Sequence, residues 1–279
     1  MMLKIGFIDY YLDEWHANNY PDWILQESGG ELAVAFAWGE IDHPAGGMTN
    51  ADWAKRHGVQ LCQTQEELIE KSDVLCVLAP DNPETHERLS EKALQSGKIT
   101  YIDKTFAPDL ATAKRIFALA DANKTPCMTT SALRYAEEYE QLDRQGMVSA
   151  VSIGGGYPDI YMIHQIEPLV MLFGTAIRRV RNVGTVEIPV FTMEYADKNR
   201  VTFACCKAQC PFQMTVNYND TRCKVVPIQS DFFRNFIRNL ILFYKTGEVL
   251  ILHEQSLAVM AVREACIRAK NTPDEWVCL

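Results

Sequence analysis

The first half of the chain repeats a short apolar strand followed by a helical segment, and this repeat constrains the fold more than any other feature. The predicted strands are Lys4–Asp9, Leu32–Trp38, Asp73–Ala79, Ile99–Asp103 and Pro126–Thr129. Continuous apolar runs of this length are typical of strands buried on both faces of a parallel sheet. The segments between them carry helix signals, such as a capping box at Thr64 and the proline Pro108. The pattern therefore predicts an α/β protein whose N-terminal part is a Rossmann-like, doubly wound parallel sheet.

The pattern changes after about Ser131. A polar connecting helix is predicted over 135–144 and an apolar helix over 160–173, among runs typical of strands separated by short turns. These strands are predicted at 148–154, 177–186, 190–195, 200–208 and 213–218, and the closing helices at 231–246 and 254–270. We therefore expect a C-terminal α+β domain with a mostly antiparallel open sheet. The predicted domains are residues 1–131, of dinucleotide-binding type, and 132–279, for substrate binding and oligomerisation, with a final helix able to pack back on the first domain.

The charge balance and the cysteines exclude several classes of partner. With 27 Lys and Arg against 36 Asp and Glu, the chain has a formal net charge of −9, whereas nucleic acids and anionic membranes attract basic surfaces. No apolar run approaches the length of about 18 residues that a membrane-spanning helix needs. The nine cysteines are an odd number in mostly apolar runs, which is typical of reduced thiols in a cytoplasmic protein. No C-x2-C pair occurs in the cluster of Cys205, Cys206, Cys210 and Cys223, so we predict no metal site.

Two blocks of motifs carry a resemblance to a known family. The first block comprises Ala79-Pro80 with Asn82 and His86, then Ala93-Leu94-Gln95-Ser96-Gly97-Lys98, then Asp103-Lys104-Thr105, and finally Arg134-Tyr135. The second block is Gly154-Gly155-Gly156 followed by His164-Gln165-Ile166-Glu167. In combination they resemble the Gfo/Idh/MocA oxidoreductases, the relatives of glucose–fructose oxidoreductase and inositol dehydrogenase. The resemblance implies hydride transfer between NAD or NADP and a sugar, a cyclitol or a related polyol.

The resemblance also assigns catalytic roles. Lys104 stands where the family has the lysine of E-K-P, at the end of a strand, and its ammonium would stabilise the alkoxide of a reacting hydroxyl or polarise a carbonyl. His164 matches the family histidine, and a neutral imidazole is suited to accept the hydroxyl proton near neutral pH. The family aspartate four residues before that histidine falls on Ile160 here, so the adjacent Asp159 is a candidate. Glu167 stands where the family has another aspartate.

Further residues receive binding roles from the same resemblance. Substrate binding is assigned to Lys104, His164, Arg134 and Tyr135, and cofactor binding to Asp9, Tyr10, Tyr11, Ala79, Pro80, Asn82, His86, Asp103 and Lys104. Structural roles are the alternative: Asn82 and His86 are equally suited to capping the following helix, and Asp159 and Glu167 to a helix cap and a surface ion pair. Family members also associate through their C-terminal sheet, so the resemblance implies a homodimer or homotetramer.

The first predicted strand leads into a segment that departs from the family. A G-x-G-x-x-G turn lets the backbone approach a pyrophosphate at a helix N-terminus, but Asp9, Tyr11 and Glu14 occupy the three glycine positions. Asp13 adds another carboxylate and Tyr10 another bulky ring, and carboxylates repel phosphates. Three hypotheses remain: an oxidoreductase that binds NAD(P) in an altered manner, a lyase or epimerase that acts on an oxidised sugar without a dinucleotide, and a non-catalytic binding or partner subunit.

Overall fold

The computed structural model describes residues 2–206 and 209–279, which group into two compact units. Unit 1 comprises the chain through Thr130 and the segment Arg234–Leu252, and unit 2 comprises Ser131–Phe233 and His253–Leu279. The sequence predicted a division into residues 1–131 and 132–279. In the structure the segment Arg234–Leu252 groups with unit 1, whereas the final helix groups with unit 2.

The strands and helices are numbered in chain order. The strands are β1 (Leu3–Asp9), β2 (Leu32–Gly39), β3 (Gln60–Leu61), β4 (Val74–Val77), β5 (Thr100–Ile102), β6 (Cys127–Met128), β7 (Met147–Gly155), β8 (Ile177–Asn182), β9 (Val190–Tyr195), β10 (Arg200–Cys206), β11 (Gln213–Tyr218), β12 (Cys223–Pro227) and β13 (Trp276–Cys278). The α-helices are α1 (Trp15–Glu27), α2 (Asn50–His57), α3 (Gln65–Lys71), α4 (His86–Gln95), α5 (Leu110–Ala122), α6 (Glu137–Glu140), α7 (Pro158–Phe173), α8 (Phe232–Thr246) and α9 (His253–Lys270). Short 3₁₀ helices cover Pro83–Thr85 and Ala132–Tyr135.

Unit 1 is built on a parallel sheet, sheet A, with the strand order β3-β2-β1-β4-β5-β6. Strands β1 and β4 are apolar because they are buried on both faces, and Ile5 and Phe7 have no exposed surface. Since β1 lies between β2 and β4, the direction of winding reverses at β1. Open α/β sheets bind ligands beyond the carboxyl ends of the strands at such a reversal, so the topology places the candidate site there.

Helix α8 returns to unit 1 because of its apolar stripe. Phe236, Leu240 and Tyr244 recur every four residues, lie on one face and are buried. The Tyr244 hydroxyl donates to the carbonyl of Leu75 on β4 at 3.1 Å, and the Phe236 ring lies 5.6 Å from that of Tyr20 on α1. These contacts explain why a segment so late in the sequence belongs to the first unit.

Unit 2 contains a mixed sheet, sheet B, with the strand order β12-β11-β7-β10-β9-β8-β13. Its neighbours are antiparallel except for β7 and β10, which run parallel. Strand β11 alternates buried and half-buried positions, as expected of a sheet with one covered face, and helices α7 and α9 pack on that face. The predicted fold class, a Rossmann-like parallel sheet followed by an α+β part with a mostly antiparallel sheet, is confirmed.

Several predicted elements differ from the structure, and the strand predicted over 177–186 ends at Asn182, the last residue of β8. The connecting helix predicted over 135–144 is instead a 3₁₀ helix, Ala132–Tyr135, and the short helix α6. The extended backbone of Ala136 separates the two, so one continuous helix cannot form. The strand predicted over 200–208 matches β10 through Cys206, and residues 207 and 208 lie outside the described part of the chain.

Three kinds of feature are absent from the described residues: disulfides, membrane-spanning helices and metal-binding clusters. Across residues 2–206 and 209–279, the cysteines form no disulfide. No helix in that part of the chain combines the length and the apolar character needed to cross a membrane. Among the residues that the structure describes, no group of His, Cys, Asp or Glu side chains is arranged to hold a metal ion.

Candidate functional site

The carboxyl edge of sheet A gathers charged residues from two strand ends. Asp9 is the last residue of β1, and Asp103 and Lys104 follow β5 directly. Asp9 and Asp103 are each only 1% exposed, whereas Lys104 is half-buried. The sequence therefore delivers two buried carboxyl groups and one partly accessible ammonium to the edge at which ligands bind in this kind of sheet.

Glu14 closes the turn between β1 and α1 by capping the helix with its own side chain. One carboxylate oxygen accepts the backbone N–H of His16 at 2.7 Å, and the other accepts the N–H of Ala17. The first turn of a helix carries N–H groups without partners inside the helix, and these attract anions. In α1 the anion that satisfies them is a side chain of the protein.

A buried cluster surrounds this cap. The His16 Nδ1 atom lies 3.1 Å from Asp103 Oδ2 and 3.5 Å from Glu14 Oε2, which places the imidazole between two carboxylates. The Tyr101 hydroxyl lies 2.9 Å from Asp103 Oδ1 and donates there or to the carbonyl of Thr130 at 3.0 Å. The cluster is therefore held by side chains from α1, β5 and the turn before α1.

Burial disfavours a charge on Asp9, which also belongs to this cluster. Burial raises the pKa of its carboxyl well above the usual value, and repulsion by Glu14 and Asp103 raises it further. The backbone N–H of Tyr10, 2.7 Å from Asp9 Oδ1, and that of Ala79 oppose the shift by favouring the ionised form. Burial is the dominant cause, so Asp9 resists ionisation at the end of β1.

The segment after β2 fixes the turn in place. Asn50 Oδ1 accepts the N–H of Leu12 at 3.0 Å, and the Asn50 amide donates to the carbonyl of Ile41 at 2.8 Å. Asp13 accepts the N–H of Met48 at 2.7 Å. Leu12 has no exposed surface, so the turn is anchored both by hydrogen bonds and by a buried apolar side chain.

The two tyrosines of the turn and the end of β2 also make contacts within unit 1. The Tyr11 ring meets the His43 ring edge-on at 4.7 Å. Glu40, just after β2, forms an ion pair with Arg88 of α4, whose guanidinium also lies 5.5 Å from the centre of the Tyr10 ring. The side chains of Tyr10 and Tyr11 therefore pack against neighbouring side chains of unit 1.

Near Lys104, His86 links two backbone segments. Its Nδ1 lies 3.0 Å from the carbonyl oxygen of Phe106 and its Nε2 lies 2.5 Å from that of Leu78. Burial lowers the pKa of His86, and the positive charge of Lys104 acts in the same direction, against the two carbonyls. The imidazole, which has no exposed surface, thus ties the end of β4 to the chain after β5.

The remaining residues of this block surround the end of β4. Ala79 has a positive φ of 70°, and both Ala79 and Pro80 are buried. Asn82 precedes the 3₁₀ helix and donates from its amide to Glu84 Oε1 at 3.2 Å, without capping the helix through its side chain.

Unit 2 places His164 on helix α7, beside the first residue of the unit. Ser131 Oγ lies 2.7 Å from His164 Nδ1, and the Ser131 backbone N–H donates to Glu167 Oε2 at 2.7 Å. Arg134 Nη1 lies 3.8 Å from Glu167 Oε1, and its Nη2 donates to Gln255 at 2.5 Å. Ser131, His164, Glu167 and Arg134 therefore form one connected polar group.

Asp159 and Tyr135 have different surroundings. Both carboxylate oxygens of Asp159 lie 2.9 Å from Lys270 Nζ on α9, and its side chain is 59% exposed. This ion pair joins two helices of unit 2 at the surface. Tyr135 is buried at the end of its 3₁₀ helix.

Aromatic rings flank His164, and glycines make room for them. The Tyr161 and Phe212 ring centres lie 5.4 Å and 6.3 Å from that of His164. A Cβ atom on Gly154 would lie 2.2 Å from the Phe212 ring, and one on Gly156 would lie 2.2 Å from the Tyr161 ring. The glycine motif therefore has a packing role beside the histidine.

Sequence reasoning missed Ser131, Phe212 and Tyr161 as neighbours of His164. Tyr161 carried a usable signal, because it precedes His164 by three residues on a predicted helix and shares its face. Ser131 and Phe212 come from distant segments, and no local pattern connects them to α7.

Comparisons with known proteins show the fold of the chain and a family similarity over one segment of it. Residues 43–131 match the model of the oxidoreductase family with an NAD-binding Rossmann fold, Gfo/Idh/MocA. Comparison of the sequence with curated proteins finds no match.

Solved structures of similar fold have low sequence identity. GenD2 from gentamicin A biosynthesis, in complex with NAD, has a TM-score of 0.82 at 14% identity, over 100% of this chain and 96% of that chain. Apo scyllo-inositol dehydrogenase from Lactobacillus casei has a TM-score of 0.80 at 15% identity, over 99% and 98%. Biliverdin reductase from Synechocystis sp. PCC 6803, in complex with biliverdin and NADP+, has a TM-score of 0.69 at 16% identity, over 96% and 98%.

These likenesses support different conclusions. The solved structures show the fold of the chain. Because one of these proteins is named for scyllo-inositol and another for biliverdin, the fold alone does not identify a substrate. The family match contains Lys104 and His86 but begins after the turn that Glu14 caps. The segment 43–131 is therefore similar to the Gfo/Idh/MocA oxidoreductases, and the whole chain shares their type of fold with the solved structures.

Proposed function

We propose that this chain is an oxidoreductase that interconverts a hydroxyl and a carbonyl group on a sugar, a cyclitol or a related polyol, with NAD or NADP as the redox partner. The observation that carries the proposal is the position of Lys104. It lies at the carboxyl end of β5, inside the segment that matches the family, and is half-buried directly after the buried Asp103.

Lys104 is assigned the role of stabilising charge on the reacting oxygen. Its ammonium offers three N–H donors and no acceptor. Such a group stabilises the alkoxide that forms as a hydroxyl loses its proton, and in the reverse direction it polarises the carbonyl oxygen.

His164 is assigned the transfer of the hydroxyl proton. If its Nδ1–H donates to Ser131 Oγ across the 2.7 Å contact, Nε2 carries the lone pair and accepts the proton. Glu167 and Arg134 support this arrangement indirectly, because Glu167 accepts the Ser131 N–H and Arg134 lies beside Glu167. Ser131 is therefore a positioning residue in the proposal.

The redox partner itself supplies hydride chemistry when bound, and the family description names NAD binding. The first βα turn of this chain does not fit the pyrophosphate of such a molecule. Glu14 occupies the N–H groups at the start of α1, and Asp9 adds a second acidic group nearby. The proposal therefore requires a binding mode that does not use the start of α1.

Turnover with a panel of cyclitols, aldoses and sugar acids tests the proposal. Each compound is incubated with NAD+ and with NADP+, and the absorbance of the reduced nicotinamide is followed. We expect one polyol class to be oxidised by the wild-type protein and not by Lys104→Met. Equal rates in the two proteins, or no oxidation of any compound with either dinucleotide, would contradict it.

A second function is favoured by the carboxylates of the turn. Because Glu14 and Asp9 disfavour a pyrophosphate, the same lysine and histidine would also suit a lyase or epimerase that acts on an oxidised sugar without a dinucleotide. Exchange of a substrate C–H for deuterium in heavy water, followed by NMR with keto-sugars and no dinucleotide, measures this activity. Exchange that depends on Lys104 supports the second function over the first.

Assembly is part of the proposal as well. We expect a homodimer or homotetramer that associates through sheet B, whose outer face carries the exposed Val151 and Val225 on β7 and β12. Sedimentation of the wild-type protein and of Val151→Lys would show a change of mass if this face is the interface.

A further inference from the structure

We infer that Glu14, together with Asp9, closes the pyrophosphate position of this Rossmann unit from within, so that the chain gains no affinity from the adenosine diphosphate half of a dinucleotide. The inference deepens the proposed function and rests on it only in that a dinucleotide is the expected redox partner. Its evidence lies entirely within unit 1.

The hydrogen-bond donors that would hold a phosphate are already used. Anion binding at a helix N-terminus depends on the N–H groups of the first turn. In α1 the N–H groups of His16 and Ala17 donate to the Glu14 carboxylate, and that of Asn18 donates to the Glu14 carbonyl at 2.9 Å. An incoming phosphate would have to displace a carboxylate that is only 9% exposed.

The charge of the surroundings opposes the exchange. Asp9 and Asp103 are almost fully buried near Glu14. Asp9 Oδ2 has no hydrogen-bond partner among the described residues, and Asp103 Oδ2 lies 3.1 Å from His16 Nδ1. The His16 imidazole already lies between Glu14 and Asp103. A doubly charged pyrophosphate would therefore add negative charge to a poorly solvated acidic cluster.

The turn is also fixed in its closed shape. Leu12 is fully buried, its N–H donates to Asn50, and its carbonyl accepts the N–H of Glu14 at 2.9 Å. Asp13 is tied to Met48 of the neighbouring segment. Opening the position requires these contacts to break together, so closure is a property of the folded turn and not of one rotamer.

A capping role alone does not explain the choice of glutamate. Helix α5, of the same length as α1, is capped by Asp109, which accepts the N–H of Thr112 at 2.7 Å. Serine, threonine, aspartate and asparagine are the preferred capping residues. Glutamate has a longer side chain than these residues, and in α1 it satisfies two donors.

Calorimetric titration with ADP-ribose and with NADH tests the inference, using wild-type protein, Glu14→Ser, the double variant Asp9→Gly/Glu14→Ser and the control Asp109→Ser. Serine keeps a capping hydroxyl, so α1 retains its N-cap. We expect wild-type protein and Asp109→Ser to bind ADP-ribose with a Kd weaker than about 1 mM. Glu14→Ser should strengthen ADP-ribose binding, and the double variant should do so by at least about 10-fold.

Each outcome decides one question. Tight ADP-ribose binding by the wild-type protein, or no gain in a double variant whose unfolding is still cooperative, overturns the inference. NAD-dependent polyol oxidation with ADP-ribose binding unaffected by Glu14 would sink the inference and leave the proposed function standing. A gain of ADP-ribose binding in Glu14→Ser without dinucleotide-dependent turnover in the wild-type protein would support the inference and remove the redox function.

Discussion

The carboxyl ends of β1 and β5 lie at the same edge of sheet A, but they carry different chemical groups. At the end of β1, Asp9 and Glu14 face inward and are bound by backbone N–H groups of their own turn and helix. At the end of β5, Lys104 is half-buried and follows a buried Asp103. The winding of the sheet fixes where a ligand would bind, whereas the residues of each connecting turn decide what that ligand can be.

The family match follows the same division. It covers residues 43–131, which include the β5 end, and leaves out the β1–α1 turn. Substitutions on the two sides should therefore have different consequences: kinetic effects at Lys104 and in the histidine group of unit 2, and effects on stability and nucleotide affinity at the turn.

Lys104→Met is expected to have the largest effect. Removing the ammonium while keeping the apolar stem should lower kcat/KM by about 10³-fold, within the range for acid–base and charge stabilisation by one group. The unfolding midpoint should change little, because Lys104 is only half-buried. Steady-state kinetics and thermal unfolding measure the two effects, and Lys92→Met, at an exposed lysine paired with Glu66, is the matched control. Loss of activity together with unfolding would mean that Lys104 is structural.

Most of the fold was predictable because five of the six strands of sheet A lie in mainly apolar runs, whereas the two-residue strand β3 carries no such signal. The predicted 4–9 and 32–38 differ from β1 and β2 by one residue at an end, and predicted 190–195 and 213–218 coincide with β9 and β11. The predicted helix over 135–144 was wrong because Ala136 has an extended backbone between two short helices. Helix propensity does not predict such a break.

The candidate site was predictable only in part. Alignment on β1 placed Glu14 at a glycine position, but its capping bonds depend on where α1 begins, and that was not readable from the sequence. His86 was recognised as a motif residue, yet its contacts with Leu78 and Phe106 depend on how β4 and β5 pack. The role of Ser131 could not be predicted, because its partner His164 lies 33 residues away in the sequence.

His164→Gln should have the next largest effect. Glutamine keeps a polar group of similar reach but cannot exchange a proton near neutral pH, so kcat should fall by about 10²-fold. KM should change less than kcat if the residue acts mainly on proton transfer. The control is Gln141→His, which adds an imidazole at an exposed position directly after α6. It should leave both constants unchanged. A normal kcat in His164→Gln would exclude the histidine from the chemistry.

Ser131→Ala should have a smaller kinetic effect and a distinct spectroscopic one. The loss of one hydrogen bond to His164 Nδ1 should lower kcat about 10-fold. Ser131→Thr keeps the hydroxyl and should restore most of it. Nitrogen NMR of the His164 ring should show a changed tautomer distribution in Ser131→Ala and not in Ser131→Thr. An unchanged ring spectrum in the alanine variant would show that Ser131 does not set the tautomer.

Asp9→Asn should have the smallest effect and the opposite sign, a gain in stability. Since burial raises the pKa of Asp9 in the folded state, wild-type folding is favoured while the carboxyl is protonated and loses stability as the pH rises through the raised pKa. Asparagine removes the charge, so the free energy of unfolding should rise by about 1 kcal/mol near neutral pH, at the lower end for desolvating a polar group. The difference should disappear below about pH 4, where the unfolded carboxyl is also protonated. Urea unfolding at several pH values measures this, with the exposed Asp73→Asn as control. A variant that is less stable than wild type at neutral pH would show that the carboxylate of Asp9 is bound favourably, and the contrast between the two ends of the sheet would then rest on Glu14 alone.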